Sequence, residues 1–171
     1  MSITAPATAG ELARTVAHLR WTHGVLEKTI ADWPAEKRFA QFDGLPNHLT
    51  WQLGHLARTY DWLRCCLDGK APTVNEAWKP VFGGGSKPTA DAAAYPPFEQ
   101  VKAEFDRTFN DFAKAAESMQ PELLTAKPAL EAGQFADTRF RIITQGAWHD
   151  GWHMGQLLGT RKALGMKSIF E

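Results

Sequence analysis

Apolar residues recur at steps of three and four in four stretches of the chain, a spacing typical of amphipathic helices. The first stretch has His23 in its stripe and ends before Pro34. The second follows Asn47, a residue type that caps helices, and Gly69 is its expected stop. The two stripes are Leu12, Val16, Leu19, Leu26 and Ile30, then Leu49, Leu53, Leu56, Tyr60, Leu63 and Leu67.

The third predicted helix starts near Pro97 and stops before Pro121, and the fourth runs from about Arg139 to Leu164. No stretch alternates apolar and polar residues as a strand would. Four long amphipathic helices must bury their stripes against one another. The chain is therefore predicted to be an all-α four-helix bundle, with residues 1–171 forming a single domain.

The segment between the second and third helices is rich in Pro and Gly and has no periodic stripe, which predicts a long loop over residues 70–97. Trp78 and Phe82 are the apolar residues expected to anchor it to the bundle. Such a loop is long enough to cross the bundle from end to end. It therefore allows the helices to run in an up, down, down, up order.

Charge and composition exclude several classes of function. Lys plus Arg and Asp plus Glu are each 19, so the chain has no net positive charge to attract nucleic acid. No signal peptide or membrane-spanning run is evident, and we expect a cytoplasmic protein with neither a nucleic-acid nor a membrane partner. The adjacent Cys65 and Cys66 suit neither a disulfide framework nor a zinc motif.

Histidines at helical spacings are the candidate chemistry. His149 and His153 are one turn apart in the fourth helix, so both imidazoles could bind one metal ion. In the second helix, His55 lies beside the apolar stripe. Neutral imidazoles are costly to bury without partners, and a shared metal ion would satisfy all three. Three such ligands leave a position open for water or substrate.

The sequence around these histidines resembles the DinB-like (DinB/YfiT) superfamily, specifically its DinB_2-type members. The similar segments are N47-H48-L49-T50-W51-Q52-L53-G54-H55-L56-A57 and H149-D150-G151-W152-H153-M154-G155-Q156-L157. The resemblance implies a four-helix bundle, often dimeric, and hence a homodimer is expected. It also implies that His55, His149 and His153 hold a divalent metal ion. Imidazole ligands suit zinc, nickel, iron and copper, so the sequence leaves the identity of the ion open, with zinc, nickel or iron as the candidates.

Characterised relatives include metal-dependent transferases that use low-molecular-weight thiols. The resemblance therefore implies a thiol S-transferase acting on a small electrophile, with a small-molecule substrate and a low-molecular-weight thiol as cosubstrate. No residue of the chain identifies the thiol. The competing interpretation is a metal-binding or stress-response protein without catalytic activity.

A metal-dependent hydrolase is a third possibility, because H149-D150-G151-W152-H153 resembles the zincin H-E-x-x-H motif with Asp150 in place of Glu. Asp150 is better suited to holding an imidazole by a hydrogen bond than to acting as a general base. Candidates for the wall of a substrate pocket are His48, Trp51, Trp152 and His23. Of these, His48 is expected at the mouth of the pocket.

Overall fold

The structure is a computed structural model that describes residues 8–170. Within that range it is all-helical, with no strands, as the sequence predicts. The five α-helices are α1 (Ala9–Ile30), α2 (Leu49–Asp68), α3 (Lys79–Phe82), α4 (Phe98–Glu117) and α5 (Arg139–Ala163). Four of them are long, and α3 is a single turn within the segment predicted as a loop.

The ends of α1 and α2 are fixed by side-chain caps and a left-handed glycine. Thr8 accepts a hydrogen bond from the Glu11 backbone N–H, and the Glu11 carboxylate accepts one from the Thr8 N–H. At the start of α2 the cap is His48 rather than the predicted Asn47, because the His48 Nδ1 accepts from the Trp51 N–H. Gly69 ends α2 with φ 73°, as predicted.

The four long helices enclose one apolar core, in which α2 packs most extensively on α4 and α1 on α5. Arg161 of α5 binds Asp32, just beyond α1, so the C-terminal ends of α1 and α5 lie together. Arg20 of α1 pairs with Glu117 at the end of α4, which joins these two helices at the surface.

The segment between α2 and α4 is held to the body by its aromatic residues. Trp78 and Phe82 are buried, which confirms that they anchor this segment. Glu76–Trp78 forms a 3₁₀ turn that leads into α3, and Gly83 follows α3. This arrangement places α3 against α2, beside His55.

Between residues 8 and 170, none of the helices combines the length and the apolar character needed to cross a lipid bilayer.

Candidate metal centre

His55 of α2 and His149 and His153 of α5 come together in the bundle. One ring nitrogen from each lies within 4.8 Å of the other two. His55 and His149 are half-buried, and His153 is buried. Three imidazole nitrogens at such separations are a donor set that could hold a divalent metal ion.

A backbone carbonyl orients His55. The His55 Nδ1 donates a hydrogen bond to the Phe82 carbonyl oxygen, 2.9 Å away, because a carbonyl can only accept. The lone pair of the neutral ring is therefore on Nε2. Gly54 permits this contact, since a Cβ at position 54 would overlap the Phe82 ring. A glycine on α2 and the last residue of α3 thus set the position of a candidate ligand.

A side-chain amide orients His153 in the same way. The Gln52 side-chain oxygen accepts a hydrogen bond of 3.0 Å from the His153 Nδ1. Its amide NH₂ donates to the Asn47 carbonyl, 2.7 Å away, which fixes which end of the amide faces the imidazole. The Asn47 side chain in turn donates to Gln156 of α5. The lone pair of His153 is therefore also on Nε2.

Of the three histidines, His149 is the one with a buried ring nitrogen that is not hydrogen-bonded within residues 8–170. This nitrogen is its Nδ1. A buried imidazole nitrogen without a partner is unfavourable, and coordination of a metal ion through this nitrogen would relieve the cost. The unpartnered nitrogen of His149 and the oriented rings of His55 and His153 are therefore the features expected of a group that holds a metal ion.

The three imidazoles are in the neutral form that metal binding requires. Burial lowers the pKa of His149 to about 4, with a smaller contribution from His55. Burial, with smaller contributions from the other two histidines, lowers the pKa of His153 to about 2. Burial also lowers the pKa of His55, against the bond to Phe82, and the charge of Arg58 lowers it further.

A cavity of about 270 Å³ adjoins His55, and we refer to it as the His55 cavity. It lies between α2 and the segment that contains α3. Its lining residues are His55, Arg58, Thr59, Trp62, Lys79, Phe82, Gly83 and Gly84. Sequence reasoning missed Arg58 and Lys79, because neither belongs to a motif or to an apolar stripe.

His48 does not line this cavity, which corrects the prediction that it lies at the mouth of a pocket. Its side chain is fully buried between the rings of Phe39 and Tyr95. The Nδ1 accepts from the Trp51 N–H, and the Nε2 donates to the Thr89 carbonyl, 3.0 Å away. Both ring nitrogens are therefore used to cap α2 and to hold the loop.

Trp51 and Trp152, which were predicted as walls of a substrate pocket, do not line the His55 cavity either. The buried Trp51 ring stacks on the His55 ring at 4.9 Å, and its indole N–H contacts the Val81 carbonyl and the Ser86 hydroxyl. Trp51 therefore packs against one face of the His55 ring and holds it in place. Trp152 is 58% exposed, beside Trp148 on the outer surface of α5.

His23 and Asp150 belong to a polar cluster within the core. The Tyr60 hydroxyl donates to Asp150 at 2.5 Å, and the His23 Nδ1 lies 3.3 Å from the same hydroxyl. Asp150 makes no hydrogen bond to a candidate ligand, which corrects the role predicted for it. Gln52 and the Phe82 carbonyl have that role instead. The contact of Gln52 with α5 was not predicted from the sequence.

The chain was compared with models of known protein families. The family model described as the DinB superfamily matches residues 18–157. That range is most of the chain and contains all three histidines of the candidate centre. No curated protein matches the chain.

Proposed function

The chain belongs to the DinB superfamily, and from that premise we propose that it binds a divalent metal ion through His55, His149 and His153. The observation that carries this proposal is the convergence of three imidazole nitrogens within 4.8 Å, beside a buried Nδ1 of His149 that has no partner in the described part of the chain. Zinc, nickel and iron all suit three imidazoles.

We further propose a thiol S-transferase that acts on a small electrophile. A divalent ion, when bound, would lower the pKa of a thiol near it. In the overall reaction, sulfur bonds to the electrophilic carbon, the leaving group departs with the bonding electrons, and the thiol proton passes to water. The His55 cavity supports this proposal, because it offers space for a small molecule next to a candidate ligand.

The protein's own side chains contribute orientation and exclusion of water. Gln52 and the Phe82 carbonyl hold two of the imidazoles with their Nε2 lone pairs free. Trp51 covers one face of the His55 ring and keeps water from it. Rings held in this way need little rearrangement on binding an ion.

The contacts of Asp150 speak against a metal-dependent hydrolase. A general base must reach a water molecule at the metal. Asp150 is fully buried and accepts from Tyr60, with His23 on its other side. A metal-binding protein without catalytic activity is the remaining alternative, and it differs from the transferase only in activity.

Metal content tests the first proposal. Inductively coupled plasma mass spectrometry on the untagged protein is expected to give about one metal ion per chain. The variants His55→Ala, His149→Ala and His153→Ala should each lose it, whereas the exposed His18→Ala should retain it. Full metal content in all three variants would exclude the site.

Activity tests the second proposal. The loaded protein is incubated with small thiols and monobromobimane, and formation of the thioether is followed by fluorescence. We expect a rate above that of the uncatalysed reaction, and the rate should fall to background in His149→Ala. Loaded protein that gives only the background rate across the thiols would be a metal-binding protein without this activity.

A further inference from the structure

The His55 cavity contains two cations that have no counter-ion in the part of the chain that the structure describes. Arg58 is half-buried in its wall and Lys79 is exposed at its edge. Within residues 8–170, neither side chain forms a salt bridge or donates a hydrogen bond. Most other arginines near α2 and α4 are paired, as Arg64 is with Asp61 and Asp68. The unpaired charges therefore favour an anion in this cavity.

The remaining walls restrict the size and character of that anion. Trp62 and Phe82 give the cavity apolar sides, and Gly83 and Gly84 leave its rim without bulky side chains. The Thr59 hydroxyl donates to the His55 carbonyl, so it is not free to donate to a ligand. At about 270 Å³ the cavity suits a small molecule with a short apolar stem.

We propose that the His55 cavity binds the carboxylate of a small aliphatic acid, with Arg58 and Lys79 as its counter-ions. A planar guanidinium matches the geometry of a carboxylate, and an ammonium group adds a point charge. His55 belongs both to the cavity and to the histidine group. The inference thus rests on the proposed function and names its substrate class: one substrate, the thiol or the electrophile, carries a carboxylate.

Metal-free protein tests the cavity independently of metal chemistry. The ¹⁵N-labelled chain is titrated with propionate and, separately, with propionamide, which has nearly the same shape but no charge. We expect propionate to shift the indole N–H resonance of Trp62 and propionamide to leave it in place. The double variant Arg58→Gln/Lys79→Gln should lose the response. The variant Lys87→Gln removes an exposed charge outside the cavity and should retain the response.

Cobalt-loaded protein then connects the cavity to the thiol. The probes are 3-mercaptopropionate, 2-mercaptoethanol and cysteamine, whose tails are anionic, neutral and cationic. Binding is followed by the near-ultraviolet absorption of the cobalt–thiolate pair. We expect the anionic thiol to bind about tenfold more tightly than the neutral one, and the preference to vanish in the double variant.

The outcomes distinguish the two proposals. Equal responses to propionate and propionamide would overturn the carboxylate site, whatever the metal result. A preference for 3-mercaptopropionate that persists in the double variant would also overturn it, since the carboxylate would then bind the metal ion. A specific propionate response combined with no thiol binding to the cobalt protein would support the cavity and count against the transferase.

Discussion

Gln52 and His153 are joined by a 3.0 Å hydrogen bond that connects α2 to α5 at the histidine group. The Gln52 amide cannot turn over without losing its second bond, to the Asn47 carbonyl. The Gln52 amide is also fully buried, so it has little freedom to move. It therefore holds the His153 imidazole in one orientation. The geometry of one candidate ligand on α5 therefore depends on α2.

Replacing Gln52 should weaken metal binding without removing a ligand. We expect Gln52→Ala to lower the metal affinity by about 10- to 100-fold, the usual effect of removing a group that orients a ligating histidine. Competition with a chromophoric chelator measures the change. The control is Gln41→Ala, because Gln41 also donates to backbone carbonyls but touches none of the three histidines. Unchanged affinity in Gln52→Ala would contradict the role assigned to the bond.

Adding a methyl group at position 54 should disturb the contact between Phe82 and His55. A Cβ there overlaps the Phe82 ring, so Gly54→Ala is expected to cost about 1–3 kcal/mol of unfolding free energy and to weaken metal binding. Gly24→Ala is the control, because a Cβ at that helical position meets nothing within 4 Å. It should leave stability unchanged or raise it by up to about 1 kcal/mol. Urea denaturation measures both, and equal stabilities would refute the steric argument.

The helices were predictable because their signal is local and repeated. Apolar residues that recur every three or four positions mark the buried face of each long helix. Gly69 marks the end of α2, because it adopts the left-handed backbone conformation. The three candidate ligands were predictable for a related reason. Each lies on or beside a buried stripe, where an unpartnered imidazole needs an explanation.

The parts of the site that were not predicted depend on contacts between distant segments. Any residue supplies a backbone carbonyl, so nothing in the sequence indicates that Phe82 binds His55. Asp150 follows a candidate ligand along the chain, but the rotation of α5 turns its carboxylate towards Tyr60. Likewise, the side chains of Asn47 and His48 are both able to cap α2. The structure has His48 as the cap, and the His48 ring packs between those of Phe39 and Tyr95, which are distant in the sequence.

The Tyr60 hydroxyl should contribute substantially to stability. It is fully buried, and it donates to one oxygen of Asp150, whose other oxygen lies 3.5 Å from the His23 Nδ1. Loss of the hydroxyl would therefore leave the buried carboxylate with less compensation for burial. We expect Tyr60→Phe to lower the unfolding free energy by about 1–3 kcal/mol in urea denaturation. The half-buried Tyr95 accepts from the Thr89 N–H, so Tyr95→Phe is the control and should cost less. A smaller loss in Tyr60→Phe than in Tyr95→Phe would contradict this ranking.

The outer surface of α5 is where we expect the predicted homodimer to form. Trp148 and Trp152 are 55% and 58% exposed, and a Cβ at Gly155 would meet nothing within 4 Å among residues 8–170. No other part of that range packs on this surface. We expect wild type to sediment as a dimer and Gly155→Leu to sediment as a monomer with unchanged helix content. A wild-type monomer, or a dimer unaffected by Gly155→Leu, would exclude this surface as the interface.

His48 should make the stability of the metal-free protein depend on pH. Burial lowers the pKa of His48 from 6.5 to about 4, although its hydrogen bonds to backbone groups oppose the shift. Between these values the unfolded chain binds a proton at His48 and the folded chain does not. The contribution of His48 to the free energy of unfolding is therefore fully present above pH 6.5 and is lost as the pH falls towards 4.

The size of this effect can be isolated by replacing the residue with another helix cap. On acidification from pH 7 to 4.5, His48 should account for a loss on the order of 2 kcal/mol in unfolding free energy. His48→Asn retains a capping side chain but has no proton to gain, so its stability should fall less steeply over the same range. Urea denaturation at several pH values measures both slopes, with the exposed His18→Asn as the control for replacing a histidine elsewhere. Parallel slopes for wild type and His48→Asn would mean that His48 is not the group that titrates on unfolding.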